Sequence, residues 1–266
     1  MISVGTAMSA LLTAVLVIAA LAIHESAHIL AANYLGARVD RVRPFFLGFA
    51  ARISNLEQLH AWERYVIYGA GSLANGFIAA WAFTVSHLSY VGVGWLEQLA
   101  LYNFVLSVFN LLPVLPLDGG RIIQQFLGNR IGVLRANRVM LRLGQVISIA
   151  LIALGFLQMI LYIYNITLLC AGVYIRRKNK DIKSELQMEF FRAMQGKTAQ
   201  DRARQMPVKT LVVTGTMSVK NALERLTLDH YMEFCIKDES NRIVTETALI
   251  VHVFTNNLHG VLGDIT

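Results

Sequence analysis

Charge is what this chain is short of. Of its 266 residues only 15% are Asp, Glu, Lys or Arg, against about 25% in an ordinary soluble domain, and none of the four occurs before Glu25. With 55% hydrophobic residues and a mean hydropathy of +0.51, that deficit excludes a disordered chain and argues against a freely soluble globule. Cysteine is also scarce. Cys170 lies in an apolar run and Cys235 in a polar region, so no disulfide framework is available and a reducing compartment is expected. Only four prolines and no glycine period rule out a collagen-like repeat. The net charge of +7 raises nucleic acid as a partner, but no basic–aromatic stripe or reader motif accompanies it, and none is expected.

What is present is a series of runs long enough to cross ~30 Å of hydrocarbon. They lie at about 7–34, 65–86, 97–112, 139–157 and 159–175, the last two separated by a break around Gln158. The N-terminus lacks a basic region and the first run continues too far for a cleavable signal peptide. Basic residues alternate with these runs: Arg38, Arg41, Arg43, Arg52 and Arg64 follow the first, none falls in 87–96, Arg121, Arg130, Arg135, Arg138 and Arg142 follow the third, and Arg176, Arg177 and Lys178 follow the fifth. The pattern predicts five spans with the N-terminus outside and the C-terminus in the cytoplasm. Trp62, Trp81 and Trp95 fall near span ends, where interfacial anchoring accounts for them.

Beyond the fifth run the composition changes. The stretch 176–206 carries nine basic and four acidic residues and favours helix, with Phe190, Phe191 and Met194 on one possible face. Gly196 and Pro207 bracket a linker with few apolar residues. From 208 onward the order reads strand (211–213), helix (218–227), strand (233–237), a turn over 238–241 and another strand. The expected organisation is a membrane domain over 1–175, a charged helical linker over 176–206 and a small α/β module over 207–266.

The chemistry concentrates at residues 24–28, which read HESAH. Histidines four apart share one helical face, so His24 and His28 can converge on one Zn²⁺. Glu25 can sit beside the metal without ligating it and take a proton from its water. A carboxylate and two histidines inside an apolar span cost about 2.5–3.5 kcal/mol per charged group, so they need partners or a function. The bland alternative is a pore-lining or snorkelling cluster. Catalytic zinc usually has three protein ligands, and the best third candidate is Asp118, in the stretch 110–120 reading NLLPVLPLDGG. Pro113, Pro116 and the Gly119–Gly120 pair must break a helix there, and exposed backbone at membrane depth is tolerated only beside protein or a wet cavity.

HESAH in a first apolar run with NLLPVLPLDGG in a later one resembles the site-2 protease (M50) family of intramembrane zinc metalloproteases. The presence of a C-terminal module resembles the sporulation branch of that family, whose members cleave a sigma-factor precursor (pro-sigma-K). The resemblance implies His24, His28 and Asp118 as zinc ligands and Glu25 as the base. Asn110 and Pro113 match family positions near the bound substrate. Ala27 replaces the family's usual glycine, and the Gly-Pro element before an Asn is matched by residues 71–75, GSLAN, without the proline. Asn75 is thereby a candidate for positioning substrate or an oxyanion, with a plain structural role as the alternative. The module over 207–266 resembles a single cystathionine-β-synthase (CBS) domain, which in such proteases can bind ATP; a dimerisation module is the competing reading.

For the hydrolysis, zinc lowers the pKa of its water towards ~7 and Glu25 accepts the proton, later returning it to the leaving amine. His24 lies ~16 Å from the inner end of its span at 1.5 Å per residue, so a polar cavity open to the cytoplasm is expected. Residues 38–53 alternate in part and contain Gly48. They are expected to form a hairpin whose edge receives the substrate as an added strand, unless Arg38, Arg41 and Arg43 simply meet anionic headgroups. His60, His87, His230, His252 and His259 lack ligand spacing. The partners expected are a membrane-associated protein substrate, membrane inhibitor proteins and a second copy through the module. In the sporulation reading the protein lies on the mother-cell side of the outer forespore membrane. Rival functions are a site-2 protease cutting an anti-sigma factor or signal-peptide remnants, against which the absence of a PDZ-like insertion counts, and a non-catalytic zinc scaffold or transporter, against which Glu25 counts.

Overall fold

The computed structural model describes residues 4–45, 48–54, 56, 59–88, 94–161, 166–198, 206–237, 242–256 and 260–265. It is mostly helical and divides into two compact units. The first holds residues 1–113 and 117–122, the second residues 114–116 and 123–266.

The first unit opens with α1 (Val4–Tyr34), a helix about 46 Å long at 1.5 Å per residue. It ends in a Schellman turn: Gly36 adopts φ 78°, its N–H donates to Asn33 O at 3.2 Å, and Ala37 N–H donates to Ala32 O at 2.9 Å. The chain then forms the expected hairpin, β1 (Arg38–Phe45) antiparallel to β2 (Gly48–Ser54), in register from Arg38 opposite Ser54 to Phe45 opposite Gly48, with an irregularity between Val39 and Arg41. Val39 and Ile53 pin its open end on Ala32, Ala37 and Ile67. The helix α2 (Ala61–Leu88) starts where Glu63 accepts the His60 N–H at 2.7 Å, and α3 (Gly94–Asn110) follows.

The seams between these helices are built from small and polar residues. On α2 the buried positions include Gly69, Gly71, Ser72, Asn75, Ala79 and Ala82, and on α3 Ala100, Asn103 and Ser107. The large apolar side chains point outward: Leu73 and Phe77 are each 71% exposed, and Phe83, Leu101 and Phe104 are likewise exposed. That is the reverse of a soluble core, and it suits helices whose outer surface meets lipid, where close backbone approach rather than hydrophobic burial holds neighbours together.

Among the described residues three helices are long and apolar enough to cross a membrane, Met8–Tyr34, Ala61–Leu88 and Val133–Leu161. These helices coincide with the first, second and fourth of the five expected spans. The described part of α3, 17 residues or about 26 Å, lies at the lower limit for a span. The break expected around Gln158 is absent, because the helix α5 (Val133–Leu161) runs through it. An isolated amide in an otherwise apolar helix leaves every backbone hydrogen bond intact. The next helix, α6 (Thr167–Thr198), has only residues 167–175 ahead of Arg176 and continues unbroken through the charged segment, so residue 175 is not an element boundary and Gly196 lies within the helix.

The helix α4 (Asp118–Ile131) begins in the first unit and, in the second, leads into α5 through Gly132, φ 93°. The helices α5 and α6 pack by glycine: a Cβ at Gly155 would lie 2.5 Å from Leu169 N, and one at Gly172 2.9 Å from Ile152 N. The module is a three-stranded sheet of β3 (Val208–Val213), parallel to β4 (Tyr231–Ile236), which is antiparallel to β5 (Ile243–Thr245). The short α7 (Val219–Leu223) forms the crossover, ending earlier than the 218–227 expected, and α8 (Glu246–Asn256) follows β5. The expected turn over 238–241 and His259 lie outside the described residues, as does 199–205 of the expected linker.

Met232, Phe234 and Ile236 point from β4 into a core with Val219, Leu226, Leu249 and Ile250. Phe190, Ala193 and Met194 of α6 belong to that same core, while Phe191 is 39% exposed. The part of the charged stretch 176–206 that precedes Gly196 thus contributes to the module's own interior. The module is also tied to the start of α5: Val133 N–H donates to Leu226 O at 2.9 Å, Asn129 donates to Asp229, and Arg138 and Arg135 donate to Glu224 at 2.6 and 3.2 Å.

The Arg138 hydrogen bond, followed by that of Arg135, holds the Glu224 carboxyl below its ordinary value. Its stabilisation is therefore complete above the free-carboxylate value of about 4.3 and fades as pH falls through the lower folded value. Glu224→Gln should loosen the contact by about 1 kcal/mol, since both arginines are substantially exposed and screened. Hydrogen exchange over 131–138 and α7 should be faster in this variant at neutral pH and respond less to acid than in the parent chain.

Candidate metal centre

His24 and His28 lie on α1, and Asp118 is the first residue of α4. Packing within the first unit brings the three together. His24 Nε2 and His28 Nε2 are 3.2 Å apart, and each is 3.4 Å from Asp118 Oδ2. Three donors each about 2.0–2.1 Å from one tetrahedral zinc ion lie about 3.3–3.4 Å from one another. The spacing of this cluster therefore fits zinc, and its two imidazoles and one carboxylate are a donor set zinc takes. Among the described residues this is the one group of three or more His, Cys, Asp or Glu side chains arranged to hold a metal.

Two of the three donors, His28 and Asp118, are held by further hydrogen bonds. His28 Nδ1 is 2.7 Å from the Ile67 carbonyl oxygen, which can only accept, so Nδ1 carries the proton and the Nε2 lone pair faces the cluster. Ser72 Oγ donates to Asp118 Oδ2 at 2.8 Å, and Ser107 Oγ donates to the Ser72 carbonyl at 2.8 Å, so α3 steadies the turn of α2 that steadies the aspartate. His24 is buried, 5% exposed. The chain between α3 and α4 makes its tight return because Gly119 has no side chain: a Cβ there would fall 2.1 Å from Leu111 O.

Gly71 lies directly against the donors. A Cβ on it would lie 2.4 Å from His28 Nε2 and 2.7 Å from His24 Cε1, so the α2 backbone passes directly against both imidazoles. Sequence reasoning singled out 71–75 for Asn75 and missed Gly71 and Ser72 as neighbours of the donors. The glycine in an otherwise helical run was the available signal; nothing local marks Ser72.

The other expected site residues are placed as follows. Glu25 is half-buried on α1 beside His24. Asn75 is fully buried and donates from Nδ2 to Ala20 O at 3.3 Å. Asn110 closes α3 and donates to Leu106 O at 3.0 Å, and Pro113 is half-buried just beyond it. His60 and His87 are exposed, and neither they nor His230 and His252 belong to the metal-type cluster.

Gly71→Ala should displace both imidazoles and lower zinc affinity by roughly 10–100-fold, and Ser72→Ala, which frees Asp118 Oδ2, should act in the same direction within that range. Zinc titration of the purified chain against a competing chelator measures both, and parent-like affinity in Gly71→Ala would contradict the close approach.

The chain is similar to known proteins in sequence and in fold. Residues 91–154 match the model of peptidase family M50. A zinc metalloprotease of Methanocaldococcus jannaschii is 26% identical over 165 residues, 60% of this chain and 46% of that protein. Stage IV sporulation protein FB of Bacillus subtilis is 26% identical over 135 residues, 51% of this chain and 46% of that protein. The chain thus spans just under half the length of these curated relatives. The solved structure of a site-2 protease from Methanocaldococcus jannaschii superposes with a TM-score of 0.52 at 24% identity, covering 63% of this chain and 75% of that one, a likeness of fold. Over residues 91–154 the chain is thus similar to peptidase family M50, and its fold is similar to that of a site-2 protease.

Proposed function

We propose that the chain is an intramembrane zinc metalloprotease that hydrolyses a peptide bond in a membrane-associated protein. The observation that carries this reading is the convergence of His24 Nε2, His28 Nε2 and Asp118 Oδ2 within 3.4 Å of one another, with Glu25 next to His24 on the same helix. His24, His28 and Asp118 hold the metal in this reading. Zinc, when bound, acidifies a water and polarises a carbonyl. Glu25 takes the proton from the attacking water on its carboxylate and returns it to the leaving amine nitrogen. The Ile67 carbonyl keeps the His28 tautomer, and Ser72 keeps Asp118 oriented, so neither donor has to reorganise during the reaction. Asn75, Asn110 and Pro113 are assigned to substrate positioning on the family resemblance.

The similarity to the Bacillus subtilis sporulation protein favours a sigma-factor precursor as substrate, and the arginine distribution favours a multi-pass chain with a cytoplasmic C-terminus. The β-α-β-β-α order of the module supports the CBS-like reading and a regulatory or substrate-docking role. An effect of ATP there rests on the resemblance and on no residue of the structure. A site-2 protease of another pathway is the second reading, supported by the equal likeness to the archaeal zinc metalloprotease.

Glu25→Gln should bind zinc as the parent does and lose cleavage by roughly 100-fold or more, the scale of a lost general base. Asp118→Ala should lose both zinc and cleavage. Metal analysis of the purified variants, beside cleavage of a co-expressed candidate substrate, separates the two roles; turnover retained by Glu25→Gln would remove the base, and full zinc occupancy in Asp118→Ala would remove the ligand.

A further inference from the structure

The packing of α5 against α6 has a consequence for the surface of the second unit. The two helices run antiparallel in a register set by three contacts. Gly155 lies against Leu169, Gly172 lies against Ile152 and Ser148, and Asn179 Nδ2 donates to Leu141 O at 2.8 Å. Continuing that register puts Arg142 of α5 beside the turn of α6 that holds Lys178 and Asn179. The polarity of both helices changes at this level. On α5 the residues before it include Arg135, Arg138 and Arg142, and those after it, 143–161, carry no charge. On α6 the residues before it, 167–175, carry no charge, and 176–183 hold five basic residues against one acidic, Asp181.

The rotation of α6 is fixed independently. Ile175, Asn179, Ile182, Leu186 and Phe190 form its buried stripe. Arg176, Arg177, Lys180 and Lys183 are consequently turned outward and exposed, as is Arg142 on α5. One turn towards the apolar end, Val173 is 39% and Tyr174 42% exposed. Each is a side chain that an outer face in water would not favour, and the tyrosine has the amphipathic form found at headgroup level. Arg135 and Arg138 are engaged with Glu224 and do not belong to this outward group.

We infer that Arg142, Arg176, Arg177, Lys180 and Lys183 form a basic belt that binds the headgroups of anionic phospholipids, with Val173 and Tyr174 seated at the edge of the acyl region. The inference rests on the membrane reading of α5. Charge complementarity selects the occupant: the belt carries no carboxylate except Asp181 and, a turn further on, Glu185, and it lies where the helices leave their apolar stretch, the level at which phosphodiester groups are densest. Attraction of this kind is strong enough to select lipids when several basic side chains act together. The belt would also hold the start of α5, to which the module is tied, at a defined depth.

The full-length chain, incorporated in nanodiscs of phosphatidylcholine with roughly a third phosphatidylglycerol, serves as the test, with lipids retained after detergent exchange counted by native mass spectrometry. The parent chain should retain phosphatidylglycerol over phosphatidylcholine by about fivefold or more, less at high salt, and inorganic phosphate should not displace it. The variant R142Q/R176Q/R177Q/K180Q/K183Q should lose that preference while keeping parent-like zinc content, which reports an intact first unit. Equal retention of the two lipids by the parent chain, or an undiminished preference in the variant, overturns the belt. Binding of an acidic peptide without any lipid preference would also overturn it, assigning the face to a protein partner. Failure of the parent chain to enter nanodiscs at all would instead overturn the membrane reading on which the belt depends.

Discussion

The backbone of α2 runs past the imidazoles of His24 and His28 so closely that only a glycine at position 71 leaves room for them, and the rest of the first unit is organised around that approach. Polar groups within apolar helices are costly unless each finds a partner. α2 supplies partners for His28 and Asp118. The Ile67 carbonyl takes the Nδ1 proton of His28, Ser72 takes Asp118, and Asn75 reaches the carbonyl of Ala20, one turn before His24. Ser107 of α3 closes the set by donating to the Ser72 carbonyl. A bulkier residue at 71 would push α2 outward and weaken every one of these contacts together.

The same device recurs in the second unit. Gly155 and Gly172 let α5 and α6 touch backbone to backbone, while Ile149, Leu154 and Leu157 face outward. Helices that meet lipid gain nothing from burying leucine against leucine, so their affinity for one another comes from close packing and from hydrogen bonds. The module obeys the opposite rule. Its interior is Phe190, Met194, Leu226, Met232, Phe234 and Leu249, assembled by ordinary hydrophobic burial, and α6 carries residues for both regimes along one unbroken helix.

That continuity gives the chain its functional logic. In the proposed hydrolysis, His28 and Asp118 are each hydrogen-bonded to α2 before any substrate arrives, the condition under which the proposed general base and metal would be most effective. The module, in turn, is locked to the start of α5 through Glu224, Asp229 and Leu226 and through the glycine at 132, where a Cβ would fall 2.1 Å from Glu224 O.

Much of this was legible in the residues alone. Histidines four apart in HESAH share a helical face whatever surrounds them, because helix geometry is local. The apolar runs 7–34 and 65–86 found their helices, the hairpin over 38–53 formed, and the strand–helix–strand order of the module followed from alternation and turn residues. The ends of the later helices were not legible: Gln158 and the polarity change at Arg176 looked like boundaries, but a helix is held by its backbone hydrogen bonds and continues wherever neighbours or water accept its side chains. Nor could periodicity tell that Phe190 and Met194 enter the module's core while Phe191 does not. The pairing of Ser72 with Asp118, 46 positions apart, and the contact of Gly71 with two imidazoles had no local signature. The sequence by itself determined which faces the donors occupy on their own helices, since that depends on a repeat of 3.6 residues. Only the tertiary structure decided which backbone lies against them, since that depends on how closely one helix can approach another, a distance set by the side chains that are missing.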